Sequence, residues 1–309
     1  STRTYEFGFT DPYFLGRRIS AGFNVFRREY GESDFRSYDY TTTGGGLSFG
    51  FPITENFAVQ TGYQLQVQEI SIDPSRCDAD PANNVSPGIC REEGESIVSS
   101  VLYSLIYDSL DSRRDPRDGI YAKFTQEFAG VGGDVSFLRT TGTASYYQEL
   151  LPDADVIGFL KVQGGHIIGI GEDVRLLDSF FKGGETVRGF ENSGFGPRDT
   201  GPTGTGDALG GNIFVAGTAE VQFPVPLLPQ ELGLKGALFA DAGTLFDTDF
   251  VTTDVQGVLA DEASLRSSVG GSILWSSPIG PLRADFAHVL SSESYDEKQW
   301  FRFGGGTRF

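Results

Sequence analysis

Residues 56–69 read Asn56-Phe57-Ala58-Val59-Gln60-Thr61-Gly62-Tyr63-Gln64-Leu65-Gln66-Val67-Gln68-Glu69. Phe57, Val59, Tyr63, Leu65 and Val67 share one parity, and Ala58, Gln60, Gly62, Gln64 and Gln66 share the other. A period of two puts successive side chains on opposite faces, so this is a strand with one apolar face and one amide-lined face. Its length exceeds the roughly ten residues that a tilted strand needs to cross a bilayer. Such a strand suits a wall between hydrocarbon and a polar lumen.

The same pattern extends outward in both directions. The turn Pro52-Ile53-Thr54-Glu55 leads back to a strand over 36–51, preceded by strands over 18–28 and 4–9, the last with Tyr5, Phe7 and Phe9 on one face. Downstream, strands are expected over 96–108, 119–128, 134–149, 156–170, 212–223, 234–245, 265–276, 281–290 and 299–309. Helical spacing is sustained nowhere, and no apolar run approaches the roughly 18 residues of a membrane helix. Short turns alternate with long polar loops such as 71–95 and 171–211, as in barrels with a short-turn side and a long-loop side. The expected fold is therefore all-β, a transmembrane antiparallel β-barrel formed as a single domain over 1–309. Its 13 strands are an odd count where single-chain bacterial barrels have an even one. A soluble sandwich or propeller is the competing fold.

Composition agrees. The 42 Gly relieve crowding where strands bend, and the 26 Phe supply a lipid-facing surface. A net charge of -18 denies the chain the basic stripe that nucleic acid requires. Acidic loops and an acidic lumen are one home for that charge; a merely soluble acidic surface is the other. Cys77 and Cys90 flank a polar loop, which fits a disulfide in an oxidising compartment, with free thiols as the alternative. A metal site is not expected, since only His166 and His288 exist and neither is near the cysteines. Neither has a nucleophile or carboxylate at a recognisable motif spacing, and no GxxxxGK[ST] phosphate loop occurs, so no enzyme activity and no cofactor are expected. The chain begins at Ser1 without a signal peptide, as a processed or truncated product would, and that carries no information on location.

Four stretches make the reading more specific. They are Phe9-Thr10-Asp11-Pro12-Tyr13-Phe14; Asp111-Ser112-Arg113-Arg114-Asp115-Pro116-Arg117-Asp118-Gly119; Phe181-Lys182-Gly183-Gly184-Glu185-Thr186-Val187-Arg188-Gly189-Phe190 with Gly196-Pro197-Arg198 and Gly210-Gly211-Asn212; and Ser277-Pro278-Ile279-Gly280-Pro281-Leu282-Arg283. Together they resemble the surface-antigen superfamily of outer-membrane insertases and translocons. Val187-Arg188-Gly189-Phe190 carries most of that resemblance, because it lies in a long loop after Gly-Gly with about five strands following, as in the family. The last strand ends on Phe309 and resembles the sorting signal of outer-membrane barrels: Phe301, Phe303 and Phe309 share a face, while Thr307 departs from the usual apolar residue.

The resemblance implies a bacterial outer-membrane location and strands four to sixteen of a sixteen-stranded barrel, with the first three strands and the periplasmic POTRA domains absent. It implies that loop 171–211 is extracellular and folds into the lumen. It also implies that Arg188 engages wall carboxylates at Glu220 and Asp241; a solvated tip above a merely polar lumen is the alternative. A buried guanidinium must be paired. Phe190 either fills an apolar niche of the lumen or packs within the loop. Gly304, Gly305 and Gly306 either kink a seam that opens to pair with client strands or ease packing at closure. The activity implied is folding and insertion of β-barrel proteins through a lateral seam. Its partners would be unfolded outer-membrane proteins, lipoprotein subunits of the assembly machinery, and outer-membrane lipid and lipopolysaccharide. The rivals are a related translocon, TamA-like or of the two-partner secretion type, and a diffusive porin.

Overall fold

Alternating polar and apolar residues give long strands because each face then meets the medium it prefers. In a computed structural model of the chain, the structure describes residues 2–32, 36–77, 85–225, 233–277 and 280–305. The strands are β1 (Thr2–Asp11), β2 (Ser20–Tyr30), β3 (Asp39–Pro52), β4 (Phe57–Ser71), β5 (Gly94–Asp108), β6 (Gly119–Leu151) and β7 (Val156–Gly169). They continue with β8 (Arg198–Thr200), β9 (Ile213–Pro224), β10 (Leu234–Phe246), β11 (Val258–Ala260), β12 (Arg266–Ser277), β13 (Gly280–Ser291) and β14 (Phe301–Gly305). All but β8 and β11 form one antiparallel sheet in chain order, and β8 pairs separately with β11. Among the described residues no ladder joins β1 to β14.

The 33-residue β6 is two arms rather than one strand. Its first arm pairs with β5 from Tyr121 to Gly133, and its second pairs with β7 from Phe137 to Leu151. Between the arms, Gly132 and Gly133 hold positive φ, and Gln126 donates to Thr140 across the fold-back at 3.2 Å. Counted by arms, the sheet has 13 strands, the number expected from the sequence. The pair β8–β11 and the five-residue helix α1 (Pro87–Arg91) were not expected, being too short for periodicity to register.

The sheet is built inside out relative to a soluble protein. Val162 and Leu238 are each 61% exposed, whereas Glu220 and Asp241 on neighbouring strands are buried. Apolar side chains turned outward with charges turned inward require hydrocarbon outside. Among the described residues no helix is long and apolar enough to cross a membrane; the crossing elements here are strands.

The long loops make a cap at one end of the sheet with its own apolar core: Tyr38, Ile70, Ile72, Val85, Ile89, Leu176, Leu209, Phe250 and Val255. Cys77 and Cys90 are joined by a disulfide, their Cα atoms 5.9 Å apart. That bond ties the loop between β4 and β5 at the cap's edge.

Candidate functional site at the loop tip

The site begins with strand phase. On β9, Thr218, Glu220 and Gln222 share one parity; on β10, Phe239, Asp241 and Gly243 do. Register sets Glu220 opposite Phe239 and Asp241 opposite Thr218, so the two carboxylates are diagonal neighbours on one face. Two buried carboxylates side by side repel and lose hydration unless a cation joins them.

Arg188 is that cation. Its Nε and Nη2 donate to the two oxygens of Asp241 at 2.6 and 2.7 Å, and its Nη1 donates to Glu220 Oε2 at 2.6 Å. The Arg188 backbone N–H adds a 3.0 Å bond to Asp241 Oδ2. The guanidinium carbon stands 3.4 Å from the Phe239 ring centroid, so the plate is stacked as well as bonded. Only a planar fork makes two parallel bonds to one carboxylate, a third to another, and a face contact with a ring; a lysine ammonium could not. The side chain is 1% exposed, which makes each bond a condition of burial rather than an ornament.

Arg283 on β13 completes the network. It donates to Glu220 at 2.6 and 3.2 Å, to Asp285 at 2.6 Å and to Ser272 Oγ at 2.8 Å, and Ser272 in turn bonds Asp285. Asp285 also lies 3.8 Å from Arg188 Nη1. Glu220 is thus shared by two guanidiniums, while Asp241 accepts from the backbone N–H, Nε and Nη2 of Arg188. Arg283, Asp285, Ser272 and Phe239 were not singled out from the sequence. The Arg-x-Asp spacing in β13, on the inward parity, was the available signal.

Neighbouring residues fit the loop to the wall. Gly189 holds φ +99, and a Cβ there would come within 2.9 Å of Val289 Cγ2. Gly243 is needed for the same reason from the other side, since a Cβ would meet Val187 Cγ2 at 2.9 Å. Phe190 packs edge-on against Phe195 of the loop at 5.3 Å. Both belong to a buried cluster with Val187, Phe214 of β9 and Leu245 of β10, so Phe190 joins loop packing to a wall niche. Lys182, elsewhere on the loop, stacks 3.8 Å from the Phe214 ring centroid, and burial pushes its ammonium down to about 8.

Two of the residues expected at the seam lie beside this network, on β14. Gly304 and Gly305 pair with Arg283 and Leu282 of β13 at ordinary φ, and a Cβ on Gly304 would meet nothing within 4 Å. Close approach therefore does not demand glycine at 304. Gly306 and Phe309 lie outside the described residues. Among the described residues no group of three or more His, Cys, Asp or Glu is placed to hold a metal ion.

A barrel wall whose inward carboxylates capture an arginine from a long loop is a specific arrangement, and comparison with known proteins gives the family in which it occurs here. Residues 1–309 match the Omp85 superfamily domain throughout, and the chain belongs to that superfamily. It is 37% identical over 97% of its length to the outer membrane protein assembly factor BamA of Neorickettsia risticii (strain Illinois), covering 38% of that protein. It is 25% identical, over its full length and 42% of the relative, to the assembly factor BamA of Neisseria meningitidis serogroup B. The crystal structure of BamA from Haemophilus ducreyi lacking POTRA domains 1-3 superposes with a TM-score of 0.79 at 21% identity, covering 98% of this chain and 61% of that one. The chain thus spans about two fifths of the length of these curated relatives. Its fold is that of a transmembrane β-barrel of the outer membrane.

Proposed function

We propose that this chain is the membrane barrel of an outer-membrane assembly factor, which folds and inserts β-barrel proteins at a lateral seam. The single observation that carries the reading is the capture of Arg188 by Asp241 and Glu220, inside a chain that belongs to the Omp85 superfamily. Residues 1–309 then act as one transmembrane domain, with 171–211 as an extracellular loop folded into the lumen. The work requires no nucleotide and no enzyme chemistry. A client strand gains hydrogen bonds at the open edge and apolar burial in lipid, and those gains drive its insertion. Unfolded outer-membrane proteins are the substrates, lipoprotein subunits the working partners, and outer-membrane lipid and lipopolysaccharide the surroundings.

A diffusive porin needs an open lumen, and a buried loop tip bonded to the wall opposes that reading. The discriminating experiment reconstitutes the full-length protein into liposomes and follows both the folding of an urea-unfolded barrel client and ion conductance. Accelerated client folding without steady conductance supports an assembly factor. Steady conductance without acceleration rejects it. A related translocon would instead pass a secreted substrate across the bilayer without accelerating client insertion.

A further inference from the structure

The loop tip touches a second element besides the charged wall. Gly189 O accepts from the Gln299 backbone N–H at 2.9 Å, Glu191 N–H donates to Glu297 O at 2.9 Å, and Glu297 N–H donates to Gly194 O at 2.8 Å. Phe190 forms an isolated bridge with Lys298. The segment leading into β14 is therefore paired to the loop tip almost as a strand would be. Side chains continue the contact: Gln299 Nε2 donates to Glu191 Oε1 at 3.1 Å. Arg302, within β14, donates to Asn192 Oδ1 at 2.6 Å and to Gln299 Oε1 at 3.1 Å. Its guanidinium lies over Gly184, where a Cβ would stand 2.9 Å from Arg302 Cζ.

Among the described residues, the strand gripped in this way has the shortest ladder in the sheet. Its ladder with β13 runs only from Phe301 to Gly305 among the described residues, and no ladder is present there on its other side. Meanwhile Arg188, held by Asp241, is covalently next to Gly189, whose carbonyl holds Gln299. Wall, loop tip and last strand form one continuous chain of contacts.

We infer that the loop tip positions the last strand: Asn192 and Glu191 hold Arg302 and Gln299, so that release of Arg188 from the wall loosens the outer end of β14. Arg302 and Gln299 are positioning residues. The inference rests on the proposed function for its purpose but not for its geometry. A client can pair only with an edge that has come free, and this contact sets how readily the edge does so.

The test is hydrogen exchange in the full-length protein in lipid nanodiscs, reading amides 301–305 against those of β4 and β5. Asn192→Ala removes the acceptor of Arg302 and should quicken exchange at 301–305 about tenfold, with β4 and β5 unchanged. Asn192→Asp turns the contact into an ion pair and should slow it. Arg302→Gln should behave as Asn192→Ala does, and Arg302→Lys should recover part of the protection. Arg188→Ala should also quicken 301–305. Unchanged exchange at 301–305 in both Asn192 variants overturns the inference, as does an equal change in β4 and β5. If exchange shifts as expected while no variant alters client folding, the positioning stands and the assembly-factor reading fails.

Discussion

The two flanks of the inner wall solve the problem of a polar lumen differently. On β3 and β4 the inward side chains are mostly uncharged. Gln64 donates to Gln66 at 3.0 Å, and Gln68 reaches the loop residue Asp178 at 3.2 Å. An amide carries both donor and acceptor, so it can satisfy itself, its neighbour or water. From β9 to β13 the wall instead presents Glu220, Asp241, Arg283 and Asp285, which cannot be buried without named partners. The amide flank tolerates whatever lies above it; the charged flank specifies what must dock. The caps follow the same division, with the loop above β4 closed by the Cys77–Cys90 disulfide and the loop above β9 and β10 held by Arg188.

Breaking the charged flank should have the largest effect. Arg188→Ala strands Asp241 without a guanidinium and should destabilise the full-length protein by about 3–5 kcal/mol. The shift would appear in the denaturant midpoint of the lipid-reconstituted protein. Reducing the disulfide should cost about 3 kcal/mol, since it frees a loop of similar length to those for which that figure is typical. The loss should show first as faster proteolysis within 72–93, with β9 and β10 unaffected. Glu220→Gln should cost less than Arg188→Ala, about 1–2 kcal/mol, because Arg188 retains Asp241 and Arg283 retains Asp285. A loss equal to that of Arg188→Ala would contradict the shared-carboxylate arrangement. Gln64→Ala on the amide flank should change stability by no more than about 0.5 kcal/mol. A penalty comparable to that of Glu220→Gln would erase the distinction between the flanks.

Much of this contrast was legible in the sequence. Strand phase depends on parity alone, so Glu220 and Asp241 could be assigned to the inner face before any contact was known. The two arms of β6 were also expected as separate strands, over 119–128 and 134–149. The pairing of Arg188 came from a family resemblance, since no local pattern says where a loop tip lands. Arg283 and Asp285 were missed because their role depends on register across β9, β10, β12 and β13, which are distant in sequence. The grip on β14 was invisible for the same reason: it joins residues 184–194 to 297–302, distant in sequence, through backbone bonds that leave no mark in the side-chain pattern and through side-chain bonds from Glu191 and Asn192. The short pair β8–β11 lay below the length at which alternation is distinguishable from chance.

The proposed assembly activity depends on the charged flank holding the loop in place. Its most direct test is the folding rate of an unfolded barrel client in liposomes that contain the full-length protein, wild type or Arg188→Ala, at matched and verified insertion. The wild type should accelerate client folding, and Arg188→Ala should lose that acceleration. Equal acceleration by both proteins would contradict that dependence.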